Sequence, residues 1–304
     1  LDSRMVRPGD LYVALPGFHS HGAAFSTQAV ARGAIAILTD PAGAQVAGET
    51  GVPVLVSDRL RPTMAEVSAR VYGEPTRELE LFGITGTNGK TTTVALLEAT
   101  LAATGRRVGT IGTLGFRLDG KVLPSGRSTV TTPDSPDLQA LLALMRERGA
   151  EAVAIEVSSH AMAMSRVDAL KFAVAAFLNL GRDHLDFHHN MEEYFEAKAS
   201  LFTPEHAREA VVWIDDEYGR RIADRAQRAG LPTVTVGTCE EADYRLTGYE
   251  PVLPLGGRAQ LRTASGDVTV ELALPGWHNM MDAAIAVAML ERAGIPVGTT
   301  LPGL

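Results

Sequence analysis

With a single cysteine, Cys239, the 304-residue chain can form no internal disulfide, which suits a reducing compartment and makes the cytoplasm the expected location. Long apolar runs are missing as well. No stretch approaches the roughly 18 residues that a membrane-spanning helix needs, and the start carries no basic, apolar, small-residue leader pattern. Neither membrane association nor export is expected. Positive charge is scarce, with 28 Lys and Arg against 36 Asp and Glu for a formal net charge of −8. That balance excludes a general affinity for nucleic acid, so anionic ligands require a local site. No repeat of fixed period and no low-complexity tract is present.

What remains is globular: 45% hydrophobic and 21% charged residues, enough to bury real cores. The length predicts about two domains. The chain starts at Leu1-Asp2-Ser3-Arg4 without an initiator Met and stops at Leu301-Pro302-Gly303-Leu304, which reads as part of a longer protein. Short apolar runs at 11–15, 34–38 and 52–56 alternate with helical stretches and predict a small α/β domain. The polar, turn-rich residues 72–77 read as a linker, placing the domains at 1–77 and 78–304. In the second domain, runs at 79–85, 107–111, 152–157, 174–178, 211–214 and 233–236 are apolar throughout, as in a parallel sheet covered on both faces. Runs at 259–264 and 268–274 around Ser265-Gly266-Asp267 predict an antiparallel hairpin. The expected fold is therefore α/β: a small N-terminal α/β domain, then a mostly parallel phosphate-loop sheet with helices on both faces and a small antiparallel addition.

The strongest local signal is Gly83-Ile84-Thr85-Gly86-Thr87-Asn88-Gly89-Lys90-Thr91-Thr92, between an apolar run and a helical stretch. Glycines admit phosphate to backbone N–H groups, a helix N-terminus adds partial positive charge, Lys90 neutralises phosphate oxygens, and the Thr91 hydroxyl can ligate Mg²⁺. A nucleoside triphosphate is the expected ligand. The general phosphate-loop spacing wants glycine where Ile84 stands, with Gly83 one place early. Glu156 ends an apolar run, where ligand groups gather at the carboxyl edge of an open sheet; a helix-capping carboxylate is the plainer reading. From residue types alone His184 is an ordinary solvated histidine, Lys198 a solvated lysine on the polar face of a helix over 192–202, and Thr131 to Asp134 a helix start.

Gly86-Thr87-Asn88-Gly89-Lys90-Thr91-Thr92 resembles the ATP loop of the Mur ligases and of the related folylpolyglutamate synthases. Leu1-Asp2-Ser3-Arg4, Thr131-Thr132-Pro133, Glu156-Val157-Ser158-Ser159-His160, Asn179-Leu180-Gly181-Arg182-Asp183-His184-Leu185-Asp186 and Tyr194-Phe195-Glu196-Ala197-Lys198 resemble its MurE branch, over nearly the whole chain. The resemblance implies an ATP- and Mg²⁺-dependent ligase of peptidoglycan precursor synthesis. ATP would phosphorylate the free carboxylate of UDP-MurNAc-dipeptide, and the amine of a diamino acid, diaminopimelate or lysine, would attack the acyl phosphate. It further implies that Gly86, Thr87, Asn88, Gly89, Lys90, Thr91, Thr92 and Asn279 bind the nucleotide; that Thr91, Glu156 and His184 hold metal; and that Lys198 is carbamylated. Leu1 and Ser3 would meet the uracil end, with Thr131, Thr132, Ser158 and Arg166 on the sugar, diphosphate or peptide. The family is usually monomeric, and its third, amino-acid-binding domain has no counterpart in these residues. Four positions depart from the pattern: Val130, Met164, Trp213 and Asp282, where asparagine, glutamine, asparagine and asparagine are usual. Rival readings are another Mur or folylpolyglutamate-type ligase, a non-catalytic nucleotide- or UDP-sugar-binding fragment, and a GTP switch, for which no Asn-Lys-x-Asp motif exists.

Overall fold

The computed structural model describes residues 1–123 and 130–304. The chain divides into two compact units, Leu1–Val71 and Tyr72–Leu304. Residues 72–77, expected as a linker, fall in the second unit. There Pro75–Arg77 forms a 3-10 turn, and Arg146 holds the segment by donating to the Gly73 carbonyl at 3.0 Å and the Glu78 carboxylate at 3.2 Å.

The first unit is a parallel sheet of β1 (Leu11–Val13), β2 (Ala36–Thr39) and β3 (Val54–Val56), in that order, with helices α1 (Ser26–Ala31), α2 (Pro41–Ala47) and α3 (Leu60–Val71). Successive strand residues point to opposite faces. Tyr12 and Ile37 accordingly pack with Ala23 and Ala29, whereas Val13 and Leu38 pack with Leu60 and Met64 of α3. Asp40 starts α2 by accepting from the Gly43 N–H at 2.7 Å, ahead of a proline suited to a first turn.

The second unit is built on β4 (Glu80–Thr85), β5 (Val108–Gly112), β6 (Gly115–Leu118), β7 (Lys121–Val122), β8 (Ala152–Glu156), β9 (Phe172–Phe177), β10 (Ala207–Trp213), β11 (Thr233–Gly237), β12 (Tyr244–Pro251), β13 (Gly257–Thr263) and β14 (Gly266–Leu272). Their order across the sheet is β14-β13-β12-β11-β10-β9-β4-β8-β5-β6-β7. From β12 to β5 the pairing is parallel; β12-β13-β14 and β5-β6-β7 are antiparallel. This is the mostly parallel sheet with the antiparallel hairpin that the sequence predicts, plus a second antiparallel edge, β6-β7, that it does not. The turn there is Asp119-Gly120, both at positive φ, a strong hairpin dipeptide between strands too short to show a period.

Eight α-helices occur among the described residues of this unit: α4 (Lys90–Ala103), α5 (Ser135–Glu147), α6 (Ser159–Ala163), α7 (Leu185–His188), α8 (Met191–Ala199), α9 (Glu217–Arg228), α10 (Trp277–Arg292) and α11 (Val297–Thr300). Leu81, Val153, Ile155 and Phe177 look toward α5, α8 and α9, while Phe82, Ile84, Ala154 and Val174 look toward α4 and α10. Burial on both faces is why these strands read as unbroken apolar runs. Helix α10 is buried from Asp282 through Leu290 without a break, the mark of a central helix. Among the described residues no helix is long and apolar enough to cross a membrane.

Candidate functional site

Strand β4 lies between β8 and β9, in register so that Ile84 pairs with Glu156 and Thr85 with Phe177. The chain leaves β4 for β5 on one side, and β8 is followed by β9 on the other. A crevice opens at such a switch point, beyond the carboxyl ends of the strands. Here residues 86–89 form the loop, α4 begins at Lys90, and a cavity of about 330 Å³ lies over them. Thr87, Asn88, Gly89, Lys90, Thr91 and Thr92 line it from the loop side, and Thr131, Glu156, Ser158, His184 and Lys198 close it from the others. The six loop residues and five scattered ones, all singled out in the sequence, thus surround one space. Thr113, Ser159 and Tyr194 also line it and had no assigned role.

The loop's shape requires Gly89, which precedes the helix at φ 88; a Cβ there would lie 2.4 Å from Oδ1 of Asp282. Gly83 is not part of the loop but sits inside β4, paired with Ile155 and Ala175. Asn179 fixes the loop from the end of β9: its Oδ1 accepts from the Asn88 N–H at 2.9 Å and its Nδ2 donates to the Asn88 carbonyl at 3.1 Å. The Gly181 N–H donates to the Thr87 hydroxyl at 2.9 Å, and that hydroxyl also meets the Tyr194 hydroxyl at 3.1 Å.

Two lysines converge on one carbonyl. Lys90 Nζ donates to the Gly86 and Thr87 carbonyls, both at 2.9 Å, and Lys198 Nζ donates to the Gly86 carbonyl at 2.8 Å. Lys198 is 1% exposed and lies 4.7 Å from the centre of the Tyr194 ring. Burial, then the nearby Lys90 charge, holds its amine well below the usual lysine range, against a weaker pull from Asp183. Lys90 is lowered too, by burial, with Glu156 and Asp183 opposing. The solvated Lys198 expected from residue types is therefore a correction: Met191, Tyr194, Phe195, Lys198 and Ala199 recur at the spacing of one helix face, and that face is the inner one.

Glu156 is 1% exposed at the end of β8 and does not cap a helix. Its Oε1 accepts from the Thr91 hydroxyl at 3.0 Å and the Thr113 N–H at 2.9 Å, and its Oε2 from the Thr113 hydroxyl at 3.0 Å. A buried carboxylate with two hydroxyls is a hard-oxygen donor set, and it fits Mg²⁺ completed by phosphate oxygens and water. His184, at φ 52, keeps its Nε2 3.5 Å from Asp183 and its ring edge-on to His160, centres 4.9 Å apart. Burial, then the His184 charge, lowers His160. Among the described residues no three His, Cys, Asp or Glu side chains are grouped to hold a metal alone.

Behind the cavity, fully buried Thr132 donates to the Glu156 carbonyl at 2.7 Å and accepts from the Ser158 N–H at 3.2 Å; Ser158 caps α6 by accepting from the Ala161 N–H at 3.1 Å. Arg166 donates to the Thr132 carbonyl at 2.8 Å and to Asp134 at 3.0 Å. The helix expected to start here does so, α5 following Asp134 at its N-cap position, but the Asp134 side chain makes no cap bond and takes Arg166 instead. Leu1 and Ser3 line a separate cavity of about 910 Å³ within the first unit, where Ser3 donates to Gln28 at 2.6 Å. Asn279 does not line the 330 Å³ cavity; it sits in the first turn of α10 and donates to the Pro275 carbonyl at 2.7 Å.

Strand, glycine loop and helix at the switch point of a parallel sheet define a phosphate-loop α/β protein. The comparisons narrow the class. The Mur ligase middle domain profile matches residues 84–290, and that of the Mur ligase family catalytic domain matches residues 1–72. The chain is 47% identical over 306 residues to a UDP-N-acetylmuramoyl-L-alanyl-D-glutamate–2,6-diaminopimelate ligase of Streptomyces coelicolor, covering 100% of this chain and 59% of that protein. A ligase of the same name from Pseudomonas aeruginosa is 41% identical, covering 100% and 62%. A solved structure of such a ligase superposes with a TM-score of 0.86 at 29% identity, over 99% of this chain and 61% of that one. The chain belongs to the Mur ligase family, and it spans about 59% of the length of the first of these relatives.

Proposed function

We propose that the chain is the UDP-sugar- and ATP-binding part of a ligase that joins a diamino acid to UDP-MurNAc-L-Ala-D-Glu in peptidoglycan precursor synthesis. The reading rests above all on one cavity that gathers a phosphate loop, a buried Thr91–Glu156 pair and a buried Lys198. The first unit, Leu1–Val71, takes the uridine end, with Leu1 and Ser3 in its own cavity; the second, Tyr72–Leu304, takes ATP and the peptide carboxylate. The names of the relatives favour diaminopimelate over lysine. The protein acts in the cytoplasm as a monomer.

Phosphoryl transfer needs positioned cations more than covalent help. Lys90 supplies one by exchanging its carbonyl partners for phosphate oxygens. Mg²⁺, held by Thr91 and Glu156 with His184 near a second site, would neutralise charge on the phosphates and the substrate carboxylate. Loop N–H groups, the start of α4 and Asn279 on the adenosine side orient the nucleotide. Thr131, Thr132, Ser158 and Arg166 orient the UDP-dipeptide. Lys198 is fit for carbamylation because burial keeps a neutral amine available to attack carbon dioxide, releasing a proton and leaving a carboxylate-like group beside Lys90.

Isothermal titration of the wild type and Lys90→Ala, with a non-hydrolysable ATP analogue plus Mg²⁺ and separately with UDP-MurNAc-dipeptide, tests the reading. Binding of both ligands by the wild type, with loss of the nucleotide alone in Lys90→Ala, is expected. Failure of the UDP-dipeptide to bind would overturn the substrate assignment.

A further inference from the structure

Helix α10 places one ionisable group, Asp282, inside an otherwise apolar buried run, with 7% of its surface exposed. The carboxyl flanks the α-carbon of Gly89, so closely that a methyl group there would touch Oδ1 at 2.4 Å and Oδ2 at 3.0 Å. The Thr93 hydroxyl on α4 donates to the carbonyl of the same Gly89 at 2.9 Å, so the last residue of the loop is tied to α4 while the carboxyl stands against it.

Few charges compete for this carboxyl. Lys90, the closest in sequence on α4, has its ammonium on the Gly86 and Thr87 carbonyls, and Glu98 bonds to the Gly120 N–H. On α10 itself His278 is exposed, and Arg292, three turns away, is held by Glu209 of β10. Strands β9 and β11 carry no ionisable side chain, and Arg258 of β13 pairs with Glu271 of β14. No described residue forms an ion pair with Asp282.

We propose that the loop holds a polyphosphate tightly only while the Asp282 carboxyl, which stands where the family has an uncharged asparagine, carries its proton. The proton removes a negative charge from directly behind the phosphate-binding amides, where the carboxyl stands against Gly89. The inference rests on the nucleotide reading above. Burial holds the group at about 7, against the pull of the Thr93 contact, so its protonation changes within the working range of pH.

The test titrates wild type, Asp282→Asn and Lys90→Ala with adenosine 5′-(β,γ-imido)triphosphate and Mg²⁺ from pH 6 to pH 8. A carboxyl of this strength passes from about nine-tenths to about one-tenth protonated over that interval, so wild-type affinity relative to Asp282→Asn should fall about ten-fold. Taking the ratio cancels the nucleotide's own titration. A ratio that stays flat overturns the proposal while leaving the nucleotide site standing; no binding by any variant at any pH overturns the nucleotide reading and this one with it. Should Asp282→Asn fail to fold, the wild type alone decides the matter: at pH 7.5, in buffers of different ionisation enthalpy, binding should take up about three-quarters of a proton per nucleotide once the protons the Mg²⁺–nucleotide itself gives up, titrated separately, are added back. No uptake refutes it.

Discussion

Gly112→Ala should damage the site through a contact that lies across two strands. Gly112 ends β5 outside the left-handed region, so alanine suits its backbone and the whole effect must come from the new methyl group. That methyl would lie 2.2 Å from Oε1 and 2.6 Å from Cδ of Glu156. The carboxylate must swing away, breaking its bonds from the Thr91 hydroxyl, the Thr113 N–H and the Thr113 hydroxyl. Hydrogen bonds to a charged group are worth about 1.5–3 kcal/mol each, and part is regained from water in the cavity, so a loss of about 3–5 kcal/mol is expected. Urea unfolding followed by circular dichroism reads it. A double-mutant cycle with Glu156→Ala isolates the cause: if the clash is the mechanism, Glu156→Ala costs much less in the Gly112→Ala background than in the wild type. Additive costs, or a single-variant loss under about 1 kcal/mol, would refute the reasoning.

Two further outcomes follow from buried groups. Thr132→Val keeps the shape of the side chain but removes its bonds to the Glu156 carbonyl and the Ser158 N–H; a loss of about 1–3 kcal/mol is expected in urea unfolding, because both partners are left without it. Lys198 has a folded-state pKa below its unfolded value of 10.5, so between those values the unfolded chain binds the extra proton and stability rises with pH. Melting temperatures from pH 7 upward should climb more steeply in the wild type than in Lys198→Met, and parallel profiles would remove the claim that burial disfavours the charged amine.

How much of this could be read beforehand depended on the range of the interaction. The phosphate loop was legible because strand, glycines, lysine and helix are neighbours in the chain. The parallel sheet was legible because burial on both faces leaves runs such as 152–157 without polar interruptions. Lys198 was misplaced from its residue type although its spacing from Met191, Tyr194 and Phe195 put it on the inner face of α8; charge was given more weight than period. Thr113 and Gly112 carried no local signal, since their part is played against Glu156 on another strand. Tyr194 stood inside a quoted motif, but its bond to Thr87 joins residues 107 apart in sequence.

The same distinction explains why the site's charges sit where they do. On the nucleotide reading proposed above, the loop needs cations close to its backbone, yet an isolated buried ammonium is costly. Here the Gly86 carbonyl accepts from both Lys90 and Lys198, so the two amines share an acceptor as well as a like-charge penalty. Burial falls more heavily on Lys198, which lies deeper, and leaves Lys90 the better placed to carry charge to the cavity. On the far side of the loop Asp282 meets the opposite problem, a carboxyl with no cation partner, and burial pushes it toward neutrality. The fold thus sorts three ionisable groups by burial: Lys90 in the cavity keeps its charge most readily, while Lys198 in the cavity wall and Asp282 behind the loop are driven to give theirs up.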